Sequence, residues 1–492
     1  MFVIQRNLPP PPLPGIINPG FEPDEAGNAP AGWNTGGVIE SGDHSSETRL
    51  THPGGSARVE TSQTLTGLPN GWYTLKAWVR SSGKQKDAYI ALKDCGGDEQ
   101  RASVPIVRSD RWLQIVVSAK VTNRQCTLSL VSEAEAGEWV SFDDIEFVPG
   151  RTALSIMGAD ISSLKKSEDK GGIYATTDGT TGDALTILHD HGLNYARLRV
   201  WVYSPDGYHG KAQLLEMAQR LKSNDLKLLV DFHYSDTWAD PGKQYKPAAW
   251  EDYDFELLKQ ALYDHTFDIC NSLKAQGTPP EMVQIGNEIN SGMLWPDGHT
   301  KEWDNLAALV KEGYRAVKDC SPATRVMLHI AEGGDNELAR GWFDNAVQRE
   351  VPFDLIGISY YPYWHGTLAD LQNNLNDIAI RYDKDIVVVE TAYPFTPDDN
   401  DTLQNIIRFQ TTRGYPATPE GQVRMLGDVM AIVRAVPNGR GLGIFYWDAT
   451  WTAVPGNGWD PAHPTSGNGW ENQALFDFDN RALPAMNLFN TP

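Results

Sequence analysis

Two stretches of sequence decide the fold: Leu226-Lys227-Leu228-Leu229-Val230-Asp231-Phe232-His233 and Met282-Val283-Gln284-Ile285-Gly286-Asn287-Glu288. Each is an apolar run with the length of a single strand, and each ends in polar residues. Runs of this kind are typical of strands that are buried on both faces, as in parallel sheets. Between them, Glu256 to Leu273 has apolar residues spaced three and four apart, which indicates a helix.

The same alternation continues in both directions and predicts eight strands within residues 150–492. They are expected at Ala153 to Asp160, Asn194 to Trp201, Leu226 to His233, Met282 to Glu288, Arg325 to Ile330, Asp354 to Tyr360, Asp385 to Glu390 and Gly443 to Trp447. Eight strand–helix units predict an α/β fold, a (β/α)8 TIM barrel with its chemistry at the carboxyl ends of the strands. A doubly wound sheet is the alternative, but no Gly-x-Gly-x-x-Gly motif follows the first strand.

Residues 16–149 have an all-β pattern, which predicts a jelly-roll sandwich in front of the barrel. Short alternating segments are separated by Gly, Asn, Asp and Ser turns: Ala57 to Gln63, Gly71 to Arg80, Asp87 to Lys93, Leu113 to Lys120, Thr127 to Val131 and Trp139 to Val148. The Pro-rich residues 1–15 are expected to form an extended polyproline II tether. The character of the sequence changes at Val148-Pro149-Gly150-Arg151, where we place the domain boundary.

Composition excludes several classes of partner. Acidic residues outnumber basic ones 64 to 42, and the formal net charge is -22. Nucleic acid and anionic membrane surfaces are therefore not expected partners, whereas a neutral substrate meets no barrier. No apolar stretch approaches the roughly 20 residues of a membrane span, so no membrane insertion is expected. The first residues lack the apolar stretch of a signal peptide, so the chain is either cytoplasmic or had a signal removed.

The four cysteines leave two interpretations open. Cys95 and Cys126 belong to the front domain, and Cys270 and Cys320 belong to the barrel. This division permits one disulfide in each domain, and buried free thiols are the other interpretation. No Cys-x-x-Cys pair indicates zinc or redox chemistry.

Polar and acidic residues stand where the predicted strands end, and two glutamates lead them. Glu288 follows the fourth strand and Glu390 the seventh. These strands lie on opposite sides of an eight-stranded barrel, so two inward carboxyl groups can flank one bond. Glycoside hydrolysis requires this geometry, with one carboxyl protonated as the acid and the other ionised as the nucleophile. Asn287 is a candidate to hydrogen-bond a sugar 2-OH, and Arg197 and Arg199 are candidates to keep the nucleophile ionised.

In these segments the chain resembles glycoside hydrolase family 53, the endo-β-1,4-galactanases. The resemblance runs through Gly158 to Leu164, Asn194 to Trp201, Asp231 to Pro241, Gln284 to Glu288, Ser359 to Gly366, Val389 to Thr391 and Phe445 to Trp447. It implies a retaining hydrolase with Glu288 as acid/base and Glu390 as nucleophile. After Trp447 the family usually has Glu where this chain has Asp448, a departure that we expect to affect only a loop contact.

Aromatic residues are abundant near the predicted strand ends, since the chain has 16 tryptophans and indole faces stack on pyranose rings. We expect substrate contacts from Arg197, Arg199, His233, Asp236, Trp238, Asn287, Tyr360, Trp364 and Trp447. No catalytic cofactor is expected, because His233, Asp236 and His329 lack the spacing of a helical zinc site. Some bacterial members of the resembled family carry a structural calcium ion in the last loop, and the candidate ligands here are Asp460, His463 and Asn468.

The front domain resembles carbohydrate-binding modules of the jelly-roll type in its opening Asn18-Pro19-Gly20-Phe21-Glu22 and its closing Phe142-Asp143-Asp144-Ile145. In similar modules an acidic residue from each segment holds calcium, which makes Glu22 and Asp144 candidate ligands. Five tryptophans are candidates for either a sugar platform or the core of the sandwich: Trp33, Trp72, Trp78, Trp112 and Trp139.

The main hypothesis is a monomeric, extracellular or periplasmic, endo-acting hydrolase of β-1,4-galactan or type I arabinogalactan, the neutral side chains of pectin. One alternative is another neutral β-glycanase of the same barrel clan. The other is a non-catalytic glycan-binding protein, against which the presence of both glutamates argues. For a retaining enzyme we expect the carboxyl groups of Glu288 and Glu390 to lie about 5 to 5.5 Å apart.

Overall fold

The computed structural model describes residues 14–23, 30–42, 44–45, 47–55, 57–106, 111–409 and 411–490. The predicted tether over residues 1–15 lies outside these ranges except for Pro14 and Gly15. The chain divides into two compact units between Thr152 and Ala153. Within the described ranges no helix is both long and apolar enough to cross a membrane.

The front unit is all-β, as predicted, and its described residues form two antiparallel five-stranded sheets. The strands are β1 Asn34–Thr35, β2 Val38–Ser41, β3 Thr48–Pro53, β4 Val59–Thr66, β5 Gly71–Ser81, β6 Gln85–Lys93, β7 Gln100–Ser103, β8 Leu113–Val121, β9 Gln125–Ala134 and β10 Trp139–Pro149. The sheet orders are β1-β4-β9-β6-β7 and β2-β3-β10-β5-β8. Side chains of β5 alternate, so that Leu75, Ala77 and Val79 are buried while Trp78 and Arg80 lie on the partly exposed face.

The second unit contains the predicted barrel. Its described strands are β11 Ile156–Asp160, β12 Tyr174–Ala175, β13 Thr181–Gly182, β14 Tyr195–Val200, β15 Lys227–Phe232, β16 Met282–Ile285, β17 Gly292–Met293, β18 Gly298–His299, β19 Arg325–Ile330, β20 Leu355–Ser359, β21 Asp385–Thr391 and β22 Gly441–Tyr446. The barrel closes in the order β11-β14-β15-β16-β19-β20-β21-β22, and all its pairings are parallel. The (β/α)8 fold is confirmed.

Helices connect the barrel strands and pack their apolar faces on them. Over the described residues they are α1 Leu164–Asp169, α2 Ala184–Asp190, α3 Lys211–Ser223, α4 Phe255–Ala275, α5 Trp303–Cys320, α6 Asn336–Gln348, α7 Leu368–Tyr382 and α8 Pro419–Arg434. In α5 the buried residues Leu306, Leu309, Val310 and Val317 recur three, four and seven positions apart, which is the spacing of one helix face.

Inside the barrel, side chains change from apolar to polar toward the carboxyl ends of the strands. The apolar cluster consists of Ile156, Tyr195, Leu229, Met282, Met327, Leu355, Val387, Val389 and Phe445. Gly158 lies against it, where an added Cβ would stand 2.4 Å from the Phe445 ring. Beyond this cluster the buried residues are charged or polar: Asp160, Arg197, Asp231, Gln284 and His329. Polar burial at this end of a barrel indicates a functional site.

Each unit contains one disulfide, Cys95–Cys126 in the front unit and Cys270–Cys320 in the barrel. Of the two interpretations of the cysteines, the structure therefore selects disulfides. The second bond joins α4 to the end of α5. The closed loops have sequence separations of 31 and 50 residues, and loop-closure entropy of that size stabilises a fold by about 4 kcal/mol each.

Candidate active site

Glu288 lies three residues after the end of β16, at a sharp turn of the chain. Its φ of 48° is left-handed, which non-glycine residues rarely adopt, and Gly286 has a φ of 79°. A Cβ on Gly286 would stand 2.5 Å from the Ile289 side chain, so this turn requires glycine. The peptide N–H of Glu288 donates to Nδ1 of His329 at 3.3 Å. A strained backbone that its surroundings hold in place indicates a functional position.

Glu390 lies in β21, and two donors fix its carboxylate. Oε1 is 2.9 Å from Nη2 of Arg197, and the Tyr361 hydroxyl donates to Oε2 at 3.0 Å. The residue is buried, with 4% of its surface exposed. Both contacts favour the ionised carboxylate and hold it in one orientation.

Arg197 is buried and connects three carboxylates. Nη1 is 2.9 Å from Oδ2 of Asp160, and Nη2 is 2.8 Å from Oδ2 of Asp231 as well as close to Glu390. Nη2 also donates to Oδ1 of Asn287 at 2.7 Å. One positive charge therefore faces three negative groups, which makes ionisation of a further carboxyl nearby unfavourable.

Arg199 supports the wall of the site and does not pair with Glu390. Its Nη1 is 2.9 Å from Oδ2 of Asp448, and its guanidinium carbon lies 4.0 Å from the centroid of the Trp238 ring. The expectation that Asp448 affects only a loop contact is wrong, because Asp448 is completely buried and neutralises Arg199 beneath the cleft.

A network of hydrogen bonds forms the floor. Nδ1 of His233 accepts from the Ala239 N–H at 3.0 Å and from Trp201 Nε1 at 3.3 Å. The His233 proton is therefore assigned to Nε2, which donates to Oδ2 of Asp231 at 3.0 Å. Nδ2 of Asn287 donates to the Ala239 carbonyl at 2.8 Å. Because these partners are engaged before any ligand binds, the floor is preorganised.

The two glutamates have different electrostatic surroundings. Burial raises the pKa of Glu288 well above its usual range, and the negative charge of Glu390 raises it further. Burial also raises the pKa of Glu390, to about 7, but the Arg197 charge opposes that rise. Glu390 is therefore the group that ionises, and Glu288 keeps its proton beside it. A carboxyl that keeps its proton beside an ionised one is chemically able to donate that proton.

Both carboxyl groups open into a cleft of about 530 Å³ at the carboxyl ends of the strands. Tryptophan rings form much of its wall: Trp238, Trp364, Trp447, Trp451, Trp459 and Trp470. Trp364 is 50% exposed and Trp459 is 46% exposed, although both are apolar. Exposed indole faces beside fixed carboxylates and amides are suited to bind sugar rings.

Most residues that the sequence predicts as substrate contacts line this cleft: Arg197, Arg199, His233, Trp238, Asn287, Trp364 and Trp447. Tyr360 does not, and that assignment is corrected. Its side chain is completely buried, and its hydroxyl donates to the Gly366 carbonyl at 3.1 Å. The next residue, Tyr361, lines the cleft instead.

Asp236 also lies outside the cleft lining, and its assignment is corrected too. Its two carboxylate oxygens accept from the backbone N–H groups of Tyr203, at 3.0 Å, and Ala248, at 2.8 Å. Both oxygens are therefore engaged in bracing the loops around the site.

Several cleft residues were not found from the sequence. Trp459 and Trp470 come from the long loop after β22, and Leu403 and Ile406 come from the loop after β21. Such loops have no periodicity that predicts their course. In the sequence, only Trp459 and Trp470 hint at a role in the cleft, because neither belongs to an apolar pattern of a helix or strand.

The candidate metal ligands make contacts within the protein. Oδ2 of Asp460 is 2.7 Å from Nδ1 of His463, and Oδ1 of Asn468 accepts a backbone N–H. Glu22 accepts from a backbone N–H and a hydroxyl, and Asp144 contacts a histidine and a hydroxyl. In the part of the chain that the structure describes, no group of three or more His, Cys, Asp or Glu residues is placed to hold a metal ion.

Comparison with known proteins agrees with this geometry. The model of glycosyl hydrolase family 53 matches residues 156–489. An uncharacterized protein of Niallia circulans from the bgaB 5′ region is 42% identical over 342 residues, covering 67% of this chain and 92% of that protein. The arabinogalactan endo-β-1,4-galactanase of Thermothelomyces thermophilus is 34% identical over 346 residues, covering 68% and 99%. The solved GH53 catalytic domain of Ignisphaera aggregans has a TM-score of 0.66 and 40% identity, covering 70% of this chain and 97% of that one.

Proposed function

Because the chain belongs to glycosyl hydrolase family 53, we propose that its barrel hydrolyses internal β-1,4-galactosidic bonds of galactan or type I arabinogalactan. The observation that carries this proposal is the contrast between the two glutamates: Glu288 is half-buried beside a negative charge, and Glu390 is held by Arg197 and Tyr361. The activity named for the Thermothelomyces thermophilus relative, an arabinogalactan endo-β-1,4-galactanase, supports galactan as the substrate.

In the first step, Glu390 attacks the anomeric carbon from the face opposite the leaving oxygen. A bond forms between a Glu390 carboxylate oxygen and that carbon, while the bond from the carbon to the leaving oxygen breaks. Glu288 donates its proton to the leaving oxygen. The products are a shortened galactan chain and a galactosyl ester on Glu390.

In the second step, a water molecule replaces the departed chain. Glu288, now ionised, accepts a proton from this water as the water oxygen bonds to the anomeric carbon and the ester bond breaks. Two inversions leave the β configuration unchanged, and both glutamates return to their starting states. No metal or organic cofactor takes part in either step.

The cleft suits a long neutral substrate. Its tryptophan wall offers stacking surfaces in the same cleft as the two glutamates, and the chain's net charge of -22 would repel a polyuronate. Asn287 is the proposed partner of the 2-OH at the reacting sugar. Because Arg197 and the Ala239 carbonyl fix both ends of its amide, Asn287 reaches the substrate without reorganisation.

Azide rescue with an aryl galactoside that carries an activated leaving group tests the two roles. For Glu390→Ala, azide replaces the missing nucleophile and gives the inverted α-galactosyl azide. For Glu288→Ala, azide attacks the galactosyl-enzyme and gives the β-azide. The opposite stereochemistry would exchange the roles. Glu332→Ala is a suitable control, since this exposed glutamate also lines the cleft but lies outside the proposed chemistry.

Reducing-end assays on galactan, mannan, xylan and cellulose test the substrate. Galactan is the expected substrate, and faster release from another polymer would favour a different neutral β-glycanase of the barrel clan. Lack of hydrolysis of all four, with retained binding, would favour a non-catalytic glycan-binding protein.

The remaining parts of the proposal concern the whole chain. We propose that the front unit binds glycan and so raises the effective concentration of the barrel near its polymer. We also propose an extracellular or periplasmic location, supported by one disulfide in each unit, since disulfides persist in oxidising compartments. The cleft needs no residue from a second copy, which supports a monomer. Light scattering measures the oligomeric state directly, and cell fractionation measures the location.

A structural calcium ion is the remaining expectation from the family. Besides the predicted ligands Asp460, His463 and Asn468, we propose other buried oxygens as its ligands. Glu471 is completely buried, and its Oε2 has no hydrogen-bond donor among the described residues. Oδ1 of Asn405 and Oδ1 of Asn472 are buried without a donor as well. Such oxygens are the ligands that Ca²⁺ prefers. Chelation should then lower the melting temperature, and added Ca²⁺ should restore it. An unchanged melting temperature would contradict a bound ion.

A further inference from the structure

Arg80 of the front unit lies close to the rings of two tryptophans, and part of its hydrogen-bonding capacity is unused. The guanidinium carbon of Arg80 is 4.8 Å from the ring centroid of Trp112 and 5.5 Å from that of Trp139. Its Nε is buried, and no acceptor for it exists in the described residues. Arg49 on the same sheet, by contrast, donates to the Glu40 carboxylate at 2.8 Å.

Trp78 and His44 extend the same face of the sheet. Trp78 lies two residues before Arg80 on β5 and pairs with Gln114 of β8, so Trp78 and Arg80 point to the same side. The His44 ring stacks on Trp78 with centroids 3.7 Å apart and planes 15° apart. The backbone N–H of His44 donates to Oδ2 of Asp143 at 2.9 Å. Trp78, Trp112, Trp139 and the stacked His44 are called the aromatic strip. The strip is held in place while remaining partly exposed.

The other tryptophans of the front unit have different surroundings. Trp33 is only 7% exposed, and its ring packs on Phe21 with centroids 5.2 Å apart. Trp72 is exposed, but the guanidinium of Arg151 lies 4.5 Å from its ring centroid. Of the five tryptophans that the sequence offers, three therefore share one face around Arg80.

We propose that Arg80, Trp78, Trp112 and Trp139 form a binding site for a neutral β-linked glycan. The choice of ligand rests on the proposed function of the barrel, which cleaves a polymer of that class. Indole rings contact the apolar faces of pyranoses, and a guanidinium donates to sugar hydroxyls. Arg80 is only partly buried, and the exposed part of its guanidinium is the part that can donate to a ligand hydroxyl, whereas the buried Nε cannot reach the ligand.

The charges around the strip favour a neutral ligand over an acidic one. Arg49 and Glu40 both lie close enough to interact with the Arg80 charge, and Asp143 pairs with Trp78 across the β5–β10 ladder. Asp144 is 2.8 Å from Nδ1 of His44. These carboxylates offset the guanidinium charges of Arg49 and Arg80, so the face does not attract a uronate.

Affinity electrophoresis in a galactan gel tests the site in the full-length chain. Every protein carries Glu390→Gln, so that the polysaccharide stays intact and the barrel cleft contributes equally to each. Arg80→Gln and Trp112→Ala should each raise the dissociation constant at least about fivefold, as the loss of one stacking or charged contact implies. Trp72→Ala, an exposed tryptophan outside the strip, is the matched control and should change nothing.

The outcomes separate this site from the barrel. Without Glu390→Gln, the same three substitutions should leave hydrolysis of short galacto-oligosaccharides within about twofold of the parent. Equal retardation of all variants in galactan would overturn the proposed site while leaving the hydrolase intact. If polygalacturonate retards the parent more strongly than galactan does, and Arg80→Gln abolishes that retardation, the proposal of a neutral ligand is overturned. If Trp112→Ala fails to fold, Arg80→Gln alone decides.

Discussion

Replacing Tyr361 by Phe removes one hydroxyl from the active site and leaves the ring in place. That hydroxyl donates to Oε2 of Glu390 at 3.0 Å. The ring packs against Trp364 and Trp470, with centroids 5.7 and 5.5 Å away, so the substitution should not disturb the fold. Because the hydrogen bond favours the ionised carboxylate, its loss should raise the pKa of Glu390 further.

The expected size follows from the energy of one charged hydrogen bond. Such a bond contributes about 1.5 to 3 kcal/mol, which equals a rise of about one to two pH units at roughly 1.36 kcal/mol per unit. In the proposed mechanism hydrolysis requires ionised Glu390, so activity is lost as the pH falls through its pKa. The acidic limb of kcat/KM should therefore move upward by that amount. At a pH below the limb, activity should fall about 10- to 100-fold relative to the parent.

The assay is the pH dependence of kcat/KM on soluble galactan, with the melting temperature recorded for each protein. Tyr363→Phe is the matched control, because its hydroxyl donates to Oε1 of Gln473 at 2.7 Å and its ring stacks near Tyr361. The reasoning is refuted if the acidic limb of Tyr361→Phe coincides with that of the parent. It is equally refuted if both variants shift it alike.

Three variants with changes outside the chemical step have separate expected outcomes. Burial raises the pKa of Asp428 to about 7. The folded state therefore loses stability as the pH rises from the pKa of Asp428 in the unfolded chain through about 7. Asp428→Asn should melt at a higher temperature than the parent near pH 8 but not near pH 4. Replacing Cys270 and Cys320 by Ser opens the loop of 50 residues and should lower the free energy of unfolding by about 4 kcal/mol in urea titrations. Trp459→Ala should raise KM for galactan with kcat unchanged in initial-rate measurements, because this exposed ring lines the cleft wall. A fall in kcat as large as the rise in KM would contradict a purely binding role.

The barrel and both glutamates could be predicted because local pattern decides them. A strand buried on both faces must be apolar throughout, so an abrupt polar ending such as Asn287-Glu288 marks the functional end of the barrel. The same pattern in Ile386 to Glu390 placed the second carboxyl. In the front unit, the six longer strands could be predicted, but β1, β2, β3 and β7 are short or partly exposed and lack a clear alternation.

The error at Tyr360 concerns which face of β20 meets the interior of the barrel. Leu355 belongs to the apolar cluster inside the barrel, and Oγ of Ser359 contacts Nε2 of His329. Alternate residues of a strand share one face, so the same alternation continued past the strand brings Tyr361, rather than Tyr360, to Glu390. The register shift between Ile358 and Ser359 adds a residue to β21, not to β20.

The cleft walls were the least predictable part. Trp459, Trp470 and Ile406 belong to long loops whose course depends on contacts distant in sequence. The role of Asp448 had the same origin, because its partner Arg199 lies 249 residues away along the chain. Reading residues one segment at a time does not bring such pairs together.

Covalent trapping distinguishes the roles of the two glutamates most directly. A 2-deoxy-2-fluoro galactoside with a good leaving group slows both steps but leaves the first fast enough to accumulate the ester. Peptide mapping by mass spectrometry should then find one fluorogalactosyl group on the peptide that contains Glu390, with Glu288 unmodified. A label on Glu288, or an unlabelled enzyme whose first product is the α-anomer by NMR, would contradict the retaining mechanism with Glu390 as nucleophile.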